Sequence, residues 1–174
     1  MLAGKIAVVT GGGRGIGKGI TLSLAAAGVK VVVVQRTKLN DELKNLTNIS
    51  WVYADISDLD TIHNITCFVE KEYGELDIII NNAGVMPETK IADLELDEWQ
   101  KILNINATFP LFMIKGLLPL MRKKGGGSII NIGSIEGISA NPNHTAYCTS
   151  KAALHGMTLS LAVDLGPRGY VVMQ

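Results

Sequence analysis

Cysteine, net charge and long apolar runs are all scarce in this chain. It has 2 Cys among 174 residues, Cys67 and Cys148, too few for a disulfide framework and suited to a reducing, cytoplasmic setting. Its 16 Lys and Arg balance 16 Asp and Glu, so the basic footprint of a nucleic-acid binder is missing. The longest apolar stretch, Ala107 to Met121, is interrupted by Pro110, Lys115 and Pro119. It is shorter than the ~20 residues of a membrane span and reads as a buried helix. The opening apolar run is too short for a signal peptide. His63, His144 and His155 have no metal-ligand spacing with the cysteines, and no metal is expected. Glycine breaks the pattern of scarcity. Its 19 residues are about 11% of the chain against a usual ~7%, without collagen period. Such an excess points to special backbone dihedrals or to close approach of a ligand.

The length suits one domain with a core that needs no disulfide or metal. Short β-branched runs alternate with longer helical stretches, the pattern of a doubly wound α/β fold in three αβα layers around a parallel sheet. Strands are expected at Ile6–Thr10, Val31–Val34, Ser50–Ala54, Leu76–Asn81 and Ser128–Ile132. Helices are expected at Ile16–Ala27, Asp41–Leu46, Asp58–Tyr73 and Tyr147–Leu165. Asp97 would cap a long helix to Arg122 that Pro110 kinks or divides. Gly169–Gln174 has the look of the start of a sixth strand. With sheet order 3-2-1-4-5, strand five would be left as an apolar edge.

Thr10-Gly11-Gly12-Gly13-Arg14-Gly15-Ile16-Gly17 joins the first strand to the first helix. Free amides and the helix dipole at such a junction can bind a pyrophosphate, and glycines let it approach. The spacing Gly11-x-x-x-Gly15-x-Gly17 departs from the common Gly-x-Gly-x-x-Gly dinucleotide fingerprint. A Gly-x-Gly-x-Gly reading through Gly13, Gly15 and Gly17 would suit a methyltransferase, but those sites usually end strand two with an acid, and Gln35 stands there. Arg36 follows it. Arg14 and Arg36 could hold the 2′-phosphate of NADP where an acid would repel it, with NAD as the alternative.

Tyr147 and Lys151 are four residues apart, which puts both on one face of a helix. A phenol, ionising near ~10 in water, exchanges protons at neutral pH only when a neighbouring cation favours its phenolate. Ser134, thirteen residues earlier, makes chance occurrence of the set improbable. The chain resembles the short-chain dehydrogenases/reductases. Thr10-Gly11-x-x-x-Gly15-x-Gly17, Asp55, Asn81-Asn82-Ala83-Gly84, Asn106, Ser134 and Tyr147-x-x-x-Lys151 occur in family order along essentially the whole sequence.

The resemblance implies a hydride-transferring NAD(P)-dependent oxidoreductase acting on a small-molecule carbonyl or alcohol, such as a 3-oxoacyl thioester reductase or a general carbonyl reductase. Tyr147 would exchange a proton with the substrate oxygen, and Ser134 would hydrogen-bond the same oxygen. Lys151 would favour the phenolate and hold the nicotinamide ribose, and Asn106 would anchor a water linking Lys151 to solvent. Gly11, Arg14, Gly15, Ile16 and Gly17 would cradle the phosphates. Asp55 and Ile56 would contact adenine, and Asn82, Ala83 and Gly84 would line the cofactor cleft. The family commonly dimerises through the long helix and the Tyr147 helix, so the full-length form would be a homo-oligomer.

Family members run to about 250 residues as one α/β domain, so the chain is expected to lack the last strands and to be incomplete at its C-terminus. Where the family reads Val-Asn-Ala, this sequence reads Val172-Met173-Gln174, the ending expected if a full-length reductase gene lost a single base, with a natural or designed short form as the alternative. The alternative function is therefore a catalytically inactive fragment or a non-catalytic nucleotide-binding domain.

Overall fold

A computed structural model describes residues 2–174. Six strands, β1 (Ile6–Thr10), β2 (Lys30–Gln35), β3 (Ile49–Tyr53), β4 (Ile78–Asn81), β5 (Gly127–Asn131) and β6 (Tyr170–Met173), form one sheet in the order β3-β2-β1-β4-β5-β6. Every pairing is parallel. Six α-helices connect them: α1 (Gly15–Ala26), α2 (Asp41–Lys44), α3 (Thr61–Tyr73), α4 (Leu96–Leu103), α5 (Phe109–Arg122) and α6 (Thr145–Leu165).

Helices cover both faces of the sheet, giving the Rossmann-like αβα layering expected from the sequence. On one face Val8, Val32, Val34, Val52, Ile79 and Ile129 pack against Ile65 and Val69 of α3, Met113 and Leu117 of α5 and Leu165 of α6. On the other, Ala7, Val9, Val31, Val33, Ile78 and Ile80 pack against Ile20 and Leu24 of α1. Burial on both faces explains the unbroken Val/Ile runs. Each of the fully buried valines of β1 and β2 contributes about 1.5–3 kcal/mol on burial, which anchors the centre of the sheet.

Two expectations need correction. Strand five is not an edge: β6 pairs beside it, Gly127 opposite Tyr170 and Ile130 opposite Met173. Four residues suffice because Tyr170 and Val172 reach into the helix-covered core. The edge passes to β6, whose Val171 and Met173 are exposed. Nor is Asp97 the cap of the helical stretch that runs, as expected, to Arg122 and is divided next to Pro110. Glu95 holds the N-cap position and Asp97 lies in the first turn of α4, where its charge suits the helix dipole. Between α4 and α5 the backbone widens into a π turn at Asn104–Thr108. Pro110, the second residue of α5, has no N–H for the carbonyl four residues back, so the regular ladder is interrupted there. The apolar run 107–121 is largely a core segment, with Phe109, Met113, Ile114, Leu117, Leu120 and Met121 buried.

Candidate active site

Strand order reverses between β1 and β4, and the connections leaving these strands diverge to opposite faces of the sheet. An open crevice forms at their C-terminal ends, the usual ligand position in such sheets. Thr10 and Asn82 hold its floor together. Thr10 Oγ1 accepts from the amides of Asn82 at 3.0 Å and Ala83 at 3.1 Å. Asn82 Nδ2 donates to the Thr10 carbonyl at 2.9 Å.

The glycine loop lies above this floor. A β-carbon on Gly17 would collide with the Gly11 carbonyl and with Asn82 Nδ2, so glycine is what lets α1 start against the β4 loop. Gly15 has φ +50 and nothing near its missing β-carbon. Arg14 takes the N-cap position of α1 in extended conformation with no side-chain cap, and no acid occupies the first turn. The first amides of a 12-residue helix therefore keep their donors for another partner. Uncapped amides, an open glycine surface and no negative charge fit a phosphate-bearing group. Ile16 is 71% exposed over the same junction.

Arg36 and Asp55 meet at the ends of β2 and β3, with Nη1 and Oδ2 3.5 Å apart. The amide and hydroxyl of Ser57 both donate to Asp55 Oδ1, at 3.0 and 2.8 Å. The Ser57 amide, then its hydroxyl, hold the Asp55 carboxyl below its usual range, helped by Arg36 against partial burial. Ile56 packs against the core beside them. Arg14 forms no ion pair with Asp55 or any other acid among the described residues.

On the other side of the crevice stand Ser134, Tyr147, Lys151 and Asn106. Lys151 is buried, and its Nζ donates to the Ile132 carbonyl at 2.7 Å and lies 5.8 Å from the Tyr147 ring centroid. Burial pushes its amine pKa down. A β-carbon on Gly84 would stand 3.1 Å from Asn106 Oδ1 and 3.8 Å from Lys151 Nζ, so the three converge. Asn106 exchanges two hydrogen bonds with the Val85 backbone, both 2.9 Å, and donates to Ser150 Oγ at 2.9 Å. Ser134 opens a short 3-10 turn, Ile135–Gly137, and its Oγ accepts from the Glu136 amide at 3.2 Å. That bond leaves the serine O–H free to donate.

Several supporting residues escaped the sequence reading. A buried chain runs from Asn81 Nδ2 to Asn131 Oδ1 and from Asn131 Nδ2 to Thr158 Oγ1, each 2.9 Å, fastening α6 to the sheet. Ser150 ties α6 to Asn106 of the π turn, and His144 ties the start of α6 to Glu136 of the Ile135–Gly137 turn. Apart from the adjacency of Ser150 to Lys151, none carries a local signal.

The whole arrangement has known relatives. Residues 5–174 match the family profile described as short chain dehydrogenase. The chain belongs to the short-chain dehydrogenase family. An uncharacterized oxidoreductase of Staphylococcus aureus is 36% identical over 178 residues, covering 99% of this chain and 76% of its own. Another, from Thermotoga maritima, is 37% identical over 173 residues, covering 95% of this chain and 67% of the relative. The crystal structure of a short-chain dehydrogenase from Streptomyces avermitilis superposes with a TM-score of 0.91 at 28% identity, over 97% of this chain and 63% of that one. The chain thus spans less than two thirds of the length of this family structure. Family membership implies a nicotinamide nucleotide, and the uncapped, glycine-lined start of α1 is a fitting place for its phosphates.

Proposed function

We propose that the chain is an NADP-dependent oxidoreductase acting on a small-molecule carbonyl or alcohol, of the 3-oxoacyl thioester or general carbonyl reductase type. The convergence of buried Lys151 on Tyr147, Gly84 and Asn106 at the sheet's switch point carries this reading. Gly11, Arg14, Gly15, Ile16 and Gly17 would hold the phosphates and Arg36 the 2′-phosphate. Asp55 and Ile56 would meet the adenine. Asn82, Ala83 and Gly84 would line the cleft, with Tyr147 and Lys151 at the nicotinamide ribose. When bound, that nucleotide supplies or takes up the hydride.

The residues of the chain handle the proton. In reduction, Tyr147 donates its phenolic hydrogen to the substrate oxygen, and Ser134, its own oxygen engaged by the Glu136 amide, donates a second hydrogen bond to that oxygen. In oxidation the phenolate takes the alcohol proton. Lys151, as ammonium, stabilises negative charge on the phenol oxygen during either transfer. Asn106 braces Lys151 through Ser150 and the Val85 loop.

Titration with NADPH and with NADH, followed by nicotinamide fluorescence, tests binding and cofactor preference. Carbonyl-dependent NADPH oxidation tests the chemistry. Tyr147→Phe should lower turnover by about 10²–10⁴-fold while nucleotide binding stays within twofold. Binding of neither nucleotide, or turnover indifferent to the loss of the hydroxyl, would overturn the reading.

A further inference from the structure

Between Ile135 and His144 the chain loops away from the sheet, and only Glu136 and His144 are buried. Its large apolar residues, Ile135 and Ile138, are 69% and 75% exposed, so hydrophobic packing does not hold the loop. Polar contacts do. Glu136 Oε1 accepts from Asn141 Nδ2 at 2.8 Å, and Oε2 accepts from His144 Nδ1 at 2.7 Å and Cys148 Sγ at 3.4 Å. These partners come from the far side of the loop and from the first turn of α6. His144 stands edge-on to the Tyr147 ring, 6.2 Å between centroids, and its Nε2 lies 3.7 Å from Glu88 of the β4 loop. The Glu136 amide meanwhile donates to Ser134 Oγ. A β-carbon on Gly137 would lie 3.1 Å from the Lys151 carbonyl oxygen, so this turn rests on the α6 backbone.

One residue therefore touches both reacting groups' supports, its main chain on Ser134 and its carboxylate on the turn bearing Tyr147. Burying a carboxylate carries a desolvation penalty that an apolar anchor would avoid. Asn141's hydrogen bond, with lesser contributions from His144 and Cys148, outweighs burial and holds the group below the usual carboxylate range. Its donors converge from two directions, which fixes orientation as well as distance.

We propose that Glu136 is a positioning residue that clamps the Ser134 turn to the first turn of α6 and so sets the spacing of Ser134 and Tyr147 on the substrate oxygen. The inference rests on the proposed roles of those two residues. Displacement by an ångström at such a site is worth about 100-fold in rate. Glu136→Ala in the full chain should lower kcat about 10- to 100-fold with the NADPH dissociation constant within twofold. Glu136→Gln keeps an acceptor of the same length and should restore kcat to within about fivefold of the parent. Amide hydrogen exchange should rise together at 133–138 and 144–148 in Glu136→Ala and not in the glycine loop. An unchanged kcat, or NADPH affinity falling in step with it, would overturn the clamp. Where Glu136→Ala fails to fold, Asn141→Ala, in the exposed loop, should give smaller changes of the same kind, and unchanged exchange there would overturn it. If the parent chain turns over no carbonyl, the proposed function falls, and paired or unpaired exchange alone decides the clamp.

Discussion

The side chains of Asn106 and Ser150 meet at 2.9 Å inside the protein, joining the π turn to α6 one residue ahead of Lys151. Asn106 is also the double hydrogen-bond partner of Val85. Asn106→Ala strands three buried or half-buried partners and should destabilise the fold by about 2–4 kcal/mol. Turnover should fall further than that loss of folded protein explains, because Lys151 loses its brace. Chemical denaturation alongside kcat separates the two effects, and a turnover loss that tracks the folded fraction would contradict the bracing role.

Gly15 and Gly17 should respond differently to the same methyl group. At Gly17 it meets the Gly11 carbonyl and Asn82, so Gly17→Ala must displace α1 and should lower both thermal stability and NADPH affinity, the latter by more than about tenfold. At Gly15 the space is open and the strain is that of a left-handed alanine, about 1–2 kcal/mol. Gly15→Ala should therefore remain folded and weaken nucleotide binding by itself. Melting curves and fluorescence titrations of the two variants check the contrast.

Arg36 is 3.5 Å from Asp55 and mostly exposed, so the exposed pair adds little to stability. Arg36→Leu should weaken NADPH binding about tenfold, the loss of one charge-assisted phosphate contact, and leave NADH binding within twofold. Equal losses for both nucleotides would show that Arg36 does not read the 2′-phosphate. Thermal stability should hardly move.

Asp77 contributes to acid stability at the opposite end of the sheet. Lys5 Nζ and the Ile6 amide each donate to its carboxylate at 2.9 Å. Burial, the largest single influence, pushes its pKa up, but the Lys5 and Ile6 bonds with the charges of Lys5 and Lys124 together hold it below the usual range. With the folded value below the unfolded ~3.9, the stabilisation is complete above that value and is lost as pH falls through the folded one. Asp77→Asn should be about 1–3 kcal/mol less stable than the parent at pH 7. Urea midpoints should show the gap closing below about pH 4. A gap independent of pH would refute the assignment.

Much of this architecture was legible because burial leaves marks in composition. Val8–Val9 and Val31–Val34 are buried on both faces of the sheet, so their strands read as unbroken β-branched runs. Tyr147 and Lys151 were legible because helical period alone puts them on one face. Glu136, His144, Asn131 and Thr158 were not. Their side-chain partners lie 5 to 50 residues away, and a polar side chain gives no sequence sign that it is buried. The pairing of β6 was missed because a four-residue strand owes its place to its own Tyr170 and Val172, which pack into the helix-covered core, and not to its length.

The reversal of strand order at β1 also fixes when the crevice can exist. Its two walls begin on β1 and β4, where Ala7 pairs with Ile78, about 70 residues apart. Closing so long a loop is slow compared with joining β1 to β2. A chain emerging from the ribosome can thus assemble β1, β2 and β3 into half a sheet before β4 arrives. Until then the glycine loop has one wall and no Asn82 beneath it, and the cleft proposed for the nucleotide cannot form.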